Sequence, residues 1–370
     1  MKIALVQDWL TEMGGAEKVF SAICDLYPDA DIYTLVYNPE ILQKMGIPEG
    51  KVKSSFIQNL PFAQKKYRNY LPLFTKAIES LDLSSYDLII SSSYCVAKGI
   101  LTHAGQTHIC YCHSPVRYAW DLYFQYLDES KLKGKSPKAL YAKLVLHKLR
   151  VWDVISSNRV DYFVSNSDYI GRRILKVYRR ESNTIYPPVN TKDFNHTRIK
   201  EDFYFTCSRM VPYKKIDIIV EAFSKMPNKR LVVIGTGPDR EKIEGLKTSN
   251  IEILGYQPFP ILKDYMERAK AFVFAAEEDF GIAPVEAQAC GTPVIAFGKG
   301  GALETVINKK TGIFFYKQTA DSIKTAVAEF EKIEHNLDRD IIRGNASKFD
   351  IDVFKKNLKD FVEQSLEINK

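Results

Sequence analysis

Two glutamates, Glu278 and Glu286, are separated by seven residues and lie between two short apolar runs, residues 271–276 and 292–297. Each run has the length and composition of a buried strand, and the stretch between them predicts an acidic turn followed by a helix. Ligands of parallel α/β sheets bind outside the carboxyl ends of the strands, so Glu278 is expected beside a ligand. A solvated turn followed by an ordinary helix surface is the alternative, but the flanking strands favour a ligand site.

The residues between the two glutamates add a way to bind negative charge. Phe280, Gly281 and Ile282 come just before the predicted helix, and Pro284 suits its first turn because that position needs no N–H group. Backbone N–H groups at a helix N-terminus have no partner within the helix and attract anions. We therefore expect an anion site at residues 280–282.

A second group of charged residues follows the predicted strand at residues 203–207. Arg209 leaves the end of this strand, and Lys214 and Lys215 precede the helix predicted at residues 216–225. Two fixed cations at such a place can neutralise a diphosphate leaving group. A surface charge pair without function is the alternative.

The first half of the chain offers two further candidates. Gly14 and Gly15 lie between a predicted strand and a helix, where they would let the backbone approach a ligand, although an ordinary strand-to-helix turn is the favoured explanation when the two glycines are taken alone. His113 follows the strand predicted at residues 107–112, so its position also predicts a site. The alternative for His113 is a buried structural histidine.

The pair Glu278 and Glu286, with Phe-Gly-Ile between them and Gly-Thr-Pro-Val-Ile from Gly291, resembles the Glu-x7-Glu signature of family 4 of the retaining glycosyltransferases. The resemblance covers most of the chain, to about Phe349. It implies the GT-B fold, an α/β architecture of two Rossmann-like domains whose parallel sheets face each other across a cleft. It also implies transfer of a sugar from a nucleotide-activated donor.

The resemblance also implies roles for the candidate residues. Arg209 and Lys214 would stabilise the diphosphate, and Lys215 stands where similar enzymes commonly have glycine, so which lysine reaches the phosphate is open. Glu286 would bind the ribose hydroxyls and Glu278 the sugar hydroxyls, without acting as a covalent nucleophile. The remaining matches are to donor-contacting positions: Gly14 and Gly15 at the phosphates, His113 at the donor sugar, and the main chain of Phe280, Gly281 and Ile282.

Residues 111–121 are similar to those of bacterial mannosyltransferases of O-antigen and exopolysaccharide assembly. This narrower resemblance makes GDP-mannose the expected donor and a UDP-sugar the alternative. The expected acceptor is lipid-linked or a saccharide. We expect no cofactor and no metal, since cations and main-chain N–H groups would do the work of a divalent ion.

The chain has 370 residues, more than one hydrophobic core usually holds, and this predicts two domains. Tyr186-Pro187-Pro188 stiffens the chain as a connector should. We place an acceptor-binding domain at residues 1–187 and a nucleotide-sugar-binding domain at 188–349. By analogy with GT-B proteins, a helix at 350–370 returns to the first domain. Residues 147–158 are expected to form an amphipathic helix, and residues 298–304 a flexible loop.

A net charge of +7 suits an acidic ligand or an anionic membrane, and no sequence signature indicates nucleic acid. Residues 61–76 mix cations with aromatic and aliphatic side chains. They form either a lipid-contacting surface or a surface helix whose aromatic rings pack inward. Because the N-terminus lacks a signal peptide and no apolar run could cross a membrane, we expect a cytoplasmic protein in peripheral contact with the inner face of the plasma membrane.

The six cysteines are expected to be reduced core thiols. His108, Cys110, Cys112 and His113 are close in sequence, but a zinc site would need a further, distant pair of ligands, and none is evident in the sequence. Two other classes of function are weighed. A dinucleotide-dependent oxidoreductase lacks its Gly-x-Gly-x-x-Gly fingerprint here. A non-catalytic membrane scaffold would not need Arg209, Lys214 and Glu278 together.

Overall fold

The computed structural model describes residues 1–368 and divides the chain into two compact units. The first unit comprises Met1–Tyr186 and the described chain from Lys355 onward, and the second comprises Pro187–Phe354. The break falls at the Tyr186-Pro187 peptide, one residue before the predicted boundary. The terminal segment joins the first unit from Lys355, five residues later than the predicted position 350.

The first unit contains one sheet. Its strands are β1 (Ile3–Gln7), β2 (Asp31–Thr34), β3 (Val52–Ser54), β4 (Leu88–Ser93), β5 (Thr107–Cys112), β6 (Tyr162–Ser165) and β7 (Asn183–Thr184). They pair in the order β3-β2-β1-β4-β5-β6-β7, and all six pairings are parallel. The residues of β4 and β5 are all buried, as the strands of a sheet covered on both faces must be.

Helices cover this sheet. They are α1 (Gly15–Leu26), α2 (Pro39–Lys44), α3 (Ala63–Lys66), α4 (Phe74–Glu79), α5 (Tyr123–Glu129), α6 (Pro137–Ser157) and α7 (Asp168–Tyr178). In α1, Val19, Phe20 and Ile23 are buried and recur at helical spacing, which explains why this segment is a helix with one face on the sheet.

The second unit also contains one parallel sheet. Its strands are β8 (Tyr204–Cys207), β9 (Leu231–Ile234), β10 (Ile251–Gly255), β11 (Ala271–Phe274), β12 (Val294–Phe297) and β13 (Gly312–Phe315). They pair in the order β10-β9-β8-β11-β12-β13, so the direction of strand addition reverses between β8 and β11. Such a reversal opens a crevice at the carboxyl ends of the two central strands.

The helices that follow are α8 (Ile216–Ser224), α9 (Arg240–Glu244), α10 (Phe259–Arg268), α11 (Ile282–Ala289), α12 (Ala302–Thr305), α13 (Ala320–Ile333) and α14 (Arg339–Ser347), and the last is α15 (Ile351–Ile368). The end of α15 belongs to the first unit, where the ring of Phe361 packs edge-on against Tyr162 at 6.3 Å. No helix among residues 1–368 combines the length and apolar character needed to cross a bilayer.

One helix differs from its predicted bounds. The apolar periodicity indicated a helix at residues 147–158, whereas α6 begins at Pro137, ten residues earlier. Ser136 caps its N-terminus by accepting a hydrogen bond from the N–H of Ala139, and Pro137 occupies the first helical position. The first half of α6 has exposed apolar side chains, which obscure the amphipathic pattern on which the prediction relied.

A buried ion pair holds three parts of the first unit together. Lys98 donates to Asp153, and both side chains are at most 1% exposed. Asp153 also accepts hydrogen bonds from the indole N–H of Trp120 at 2.8 Å and from the hydroxyl of Tyr178 at 3.0 Å. A buried carboxylate is tolerated when its oxygens are satisfied in this way.

Candidate active site

The central pair of the second unit is Lys214 and Glu278. Lys214 lies in the loop after β8, and Glu278 lies in the turn after β11, so the reversal of strand order brings the two together. The Nζ of Lys214 donates to Oε1 of Glu278, and the side chains are 22% and 20% exposed. The pair is thus at the edge of the sheet where α/β proteins generally bind their ligands.

The turn that carries Glu278 is fixed by two glycines from the next loop. Gly300 pairs with Glu278 as an isolated parallel bridge, and the N–H of Gly301 donates to the Glu278 carbonyl at 2.9 Å. A Cβ atom on Gly301 would lie 2.3 Å from the Cα of Phe280, a distance that no side chain tolerates. The loop at residues 298–304 was expected to be flexible. The structure instead joins it to the Glu278 turn by backbone contacts.

The predicted anion site lies at the start of α11. Gly281 precedes the helix with φ of +88°, a conformation that glycine adopts without steric cost. The ring of Phe280 is buried and packs edge-on against Phe349 at 5.4 Å. Phe280 can therefore meet a ligand through its main chain, while its side chain belongs to the core.

The remaining candidates of the second unit lie in the loop that carries Lys214 and on the helix that follows the Glu278 turn. Arg209 is exposed in the loop after β8, and Glu286 is half-buried on α11. Lys215 has φ of +57°, in the left-handed region, and immediately precedes α8. Glycine would adopt this conformation without strain, whereas a lysine does so at a cost. The lysine that contacts Glu278 is Lys214.

In the first unit, Gly14 caps α1 and Gly15 is its first residue. Glu17, which the sequence analysis did not identify, contacts this turn. The carboxylate of Glu17 accepts hydrogen bonds from the hydroxyl of Tyr94 at 3.2 Å and the side-chain amide of Gln7 at 3.4 Å. It also interacts with the backbone N–H of Gly14. Burial raises the pKa of Glu17 to about 7.

The spacing of Gly14 and Glu17 was a usable signal for this contact. An acidic residue three positions after the residue that caps a helix often reaches back to the N–H of that capping residue. A Cβ on Gly14 would lie 2.8 Å from Oε2 of Glu17, so the carboxylate occupies the space beside the glycine. The Gly-Gly turn and Glu17 thus form one structural element.

His113 is buried at the carboxyl end of β5. Its Nε2 lies 2.8 Å from Oγ of Ser92, and the rings of Tyr94 and Tyr111 pack edge-on against it at 5.9 and 5.2 Å. Burial lowers the pKa of His113 to about 3, so the imidazole is neutral near pH 7. A neutral imidazole can exchange hydrogen bonds with hydroxyl groups but brings no positive charge to a phosphate.

Asp8, at the turn after β1, was likewise missed. Its two oxygens accept four backbone hydrogen bonds, at 2.6 to 2.9 Å, from the N–H groups of Tyr94, Cys95, Val96 and Ala97. Asp8 therefore fixes the segment from which Tyr94 contacts both Glu17 and His113.

No group of three or more potential metal ligands occurs within residues 1–368. In the His-Cys cluster, His108 is buried with Nε2 2.8 Å from Oγ of Ser91, and Cys110 and Cys112 lie in the core. The chain contains three Asp-x-Asp pairs, and one carboxylate of each has a local partner. Asp31 accepts a hydrogen bond from the hydroxyl of Tyr86, Asp338 caps α14, and Asp350 accepts a hydrogen bond from the hydroxyl of Thr191. All six cysteines are free thiols.

Comparison with known proteins places these observations in context. Residues 189–348 match the family model described as Glycosyl transferases group 1. This segment lies within the second unit and includes Arg209, Lys214 and Glu278. Over 336 residues, the chain is 23% identical to an uncharacterized glycosyltransferase of Methanocaldococcus jannaschii, covering 89% of this chain and 88% of that protein.

Two further matches concern a shorter segment and the fold. The chain is 33% identical over 140 residues to the GDP-mannose-dependent alpha-(1-6)-phosphatidylinositol monomannoside mannosyltransferase of Mycolicibacterium smegmatis, covering 33% of this chain and 36% of that enzyme. The crystal structure of Anabaena HepE in complex with UDP aligns with a TM-score of 0.69 and 18% identity, covering 98% of this chain and 100% of HepE. The fold is GT-B, and the prediction of two parallel-sheet α/β domains is confirmed.

Proposed function

We propose that this protein is a retaining glycosyltransferase that moves a sugar from a nucleotide-activated donor to a lipid-linked or saccharide acceptor in cell-surface polysaccharide synthesis. The observation that carries the proposal is the Lys214–Glu278 pair at the strand reversal of the second unit, inside the segment that matches the glycosyltransferase family model. Strand reversals of this kind are where α/β sheets bind nucleotides.

The chemical problem is to separate a sugar, which becomes oxocarbenium-like, from a diphosphate that gains negative charge. In our proposal Arg209 and Lys214 stabilise that charge, together with the main-chain N–H groups of residues 280–282 at the start of α11. Fixed donors of this kind stabilise the transition state because they need no reorganisation as charge develops. A Lys214 that is held in place by Glu278 meets this requirement.

Glu278 is proposed to hold hydroxyl groups of the transferred sugar, and Glu286 the hydroxyls of the ribose. Glu278 is not assigned as a nucleophile, since its carboxylate already accepts from Lys214. Retention of configuration is proposed to follow a same-face route in which the departing phosphate accepts the proton of the acceptor. In the first unit, Gly14, Gly15 and His113 are proposed donor contacts, and the neutral imidazole of His113 suits a hydroxyl partner.

GDP-mannose is the donor that we propose first. Its support is the similarity of residues 111–121 to bacterial mannosyltransferases and the match to the mycobacterial GDP-mannose-dependent enzyme. A UDP-sugar is the second candidate, and the UDP complex of the structurally similar HepE favours it. We also propose that the reaction needs no metal, with the cations of the second unit taking that role.

The test is release of nucleoside diphosphate by the purified protein from GDP-mannose and UDP-glucose, with lipid-linked and free saccharide acceptors, with and without EDTA. We expect turnover of one donor class, undiminished by EDTA. Loss of turnover restored only by a divalent ion would refute the metal-free scheme. A thermal-shift assay tests the alternative class. If a nicotinamide dinucleotide stabilises the protein and neither sugar donor does, an oxidoreductase replaces the proposal.

A further inference from the structure

The outer face of α6 carries an exposed apolar stripe. Leu140, Leu144, Val151 and Ile155 are between 49% and 55% exposed, and Tyr141 beside them is 58% exposed. Their spacing of four, seven and four positions places them on one side of the helix. At 1.5 Å per residue, the stripe extends over about 22 Å.

The opposite face explains why the helix keeps its place. On this face of α6, Ala139, Leu146 and Leu149 are buried, and Asp153 forms the buried ion pair with Lys98. Both faces of α6 are therefore rich in apolar residues, but only one of them packs against the first unit. A contiguous exposed apolar surface of this kind indicates a contact with another surface.

The segment that contains the stripe is strongly basic. Residues 130–152 contain no aspartate or glutamate and hold seven cations: Lys131, Lys133, Lys135, Lys138, Lys143, Lys148 and Arg150. Five of these, all but Lys143 and Arg150, are exposed. Asp128 and Glu129 immediately precede this segment, and Lys133 forms an ion pair with Asp128 at 2.9 Å, which leaves Lys131, Lys135, Lys138 and Lys148 as the other exposed lysines.

The lysine-rich turn is fixed to the helix. The Nζ of Lys143 donates to the carbonyls of Lys133 and Gly134 at 3.1 and 3.0 Å, so the turn at residues 131–136 is held at the N-terminal end of the stripe. Phe124 of the neighbouring α5 is 77% exposed. We call the exposed residues of α6 and this turn the basic apolar face.

Residues 61–76 were first considered for lipid contact. They expose fewer aromatic side chains for such a contact than their sequence suggests. Tyr67 and Phe74 pack inward against Trp9, with ring centroids 4.9 and 5.9 Å away. Leu71 packs on the cluster that contains Leu146 of α6. Only Phe62 among these rings is widely exposed, at 75%. Inward packing is thus correct for most of the aromatic residues of this segment.

We propose that the basic apolar face docks on an anionic phospholipid surface. Lysines attract anionic headgroups, and leucine, valine, isoleucine and tyrosine side chains insert at the boundary between headgroups and acyl chains, with α6 lying along the surface. A second copy of the chain fits less well, since two faces that each carry five exposed lysines repel one another. The inference deepens the proposed function by bringing the enzyme to lipid-linked acceptors.

The experiment is sedimentation of the full chain, without donor, with vesicles of phosphatidylcholine alone or with about 30% phosphatidylglycerol. We expect binding only to the anionic vesicles, weakened at least tenfold when salt rises from about 0.1 to about 0.5 M. Leu144→Glu with Val151→Glu, and separately Lys133→Gln with Lys135→Gln, should each reduce binding about tenfold.

The matched control is Leu175→Glu on α7, because Leu175 is 50% exposed, like Leu144, but lies outside the face. It should bind as the parent does, and circular dichroism verifies that every variant is folded. Binding that ignores lipid charge, or that is equal in the face variants and the parent, overturns the proposal. So does a dimer in ultracentrifugation that Leu144→Glu dissociates. The binding experiment contains no donor. If the protein does not bind anionic vesicles but does transfer sugar, only the docking proposal is refuted.

Discussion

Lys214 and Glu278 form a salt bridge between the loops that follow β8 and β11, with about one-fifth of each side chain exposed. The lysine proposed to meet the diphosphate therefore has a protein carboxylate as its partner. A phosphate must compete with Glu278 for this lysine, or share it. The two residues are expected to act as one unit in donor binding and transfer.

The first prediction concerns this pair. Lys214→Met and Glu278→Gln should each lower kcat/KM for transfer by about 100-fold or more, because the first removes a charge placed for the departing diphosphate and the second removes the carboxylate that holds Lys214 and the sugar hydroxyls. The double variant should lose much less than the product of the two single losses. Lys225→Met, which removes an exposed cation paired with Glu221 on α8, is the control. Near-normal transfer by both single variants would defeat the site assignment.

A second prediction tests the glycine that fixes the Glu278 turn. Gly301→Ala should destabilise the protein by about 2 kcal/mol or more and reduce transfer, because its Cβ would overlap the backbone of Phe280. Gly344→Ala is the matched control. It lies in α14 with open space around its Cβ, and should stabilise by about 0.5–1 kcal/mol. Urea unfolding measures both, and equal effects of the two would contradict the close approach at Gly301.

The third prediction separates the two lysines. Lys215→Gly should keep most of the transfer activity and raise stability by up to about 1 kcal/mol, since φ of +57° costs a lysine about that much. Parallel kinetics of Lys214→Met and Lys215→Gly decide between the lysines. A large loss in the Lys215 variant with little loss in the Lys214 variant would assign the phosphate to Lys215.

The fourth prediction concerns Glu17, whose pKa is raised from 4.5 to about 7 by burial. Between these values the folded protein binds more protons than the unfolded chain, so this residue makes stability fall as pH rises from about 4.5 through 7. Glu17→Gln removes this dependence. The free energy of unfolding of the variant, relative to the parent, should therefore increase by about 3 kcal/mol across that range. A pH-independent difference would show that the pKa of Glu17 is not raised in the folded protein.

Much of the fold could be predicted from the sequence because its signals are local. The apolar runs on either side of Glu278 and before Arg209 correctly predicted strands β11, β12 and β8. In the structure, the reversal of strand order brings Lys214 and Glu278 together. Short-range patterns also located Gly281 at the start of α11. Strand ends and helix starts are set by neighbouring residues, so one sequence suffices to find them.

The contacts that support the site could not be predicted in the same way. Gly301 matters because the backbone of Phe280, 21 residues earlier, approaches it, and Asp8 because it accepts from four N–H groups more than eighty residues away. Such roles depend on tertiary packing, which local periodicity does not report. The start of α6 was missed for a different reason, since its exposed apolar residues contradict the pattern of a helix that faces water on one side.

The Lys98–Asp153 pair has a consequence for how this chain can change over evolutionary time. Replacing either residue alone leaves a buried charge without its counterion, at a cost of about 3–5 kcal/mol, which is a large part of the stability of an ordinary domain. Single substitutions of Lys98 or Asp153 are therefore strongly disfavoured. Across descendants of this sequence, the two positions should be inherited together or exchanged together, and Trp120 and Tyr178 should vary most where the carboxylate is gone.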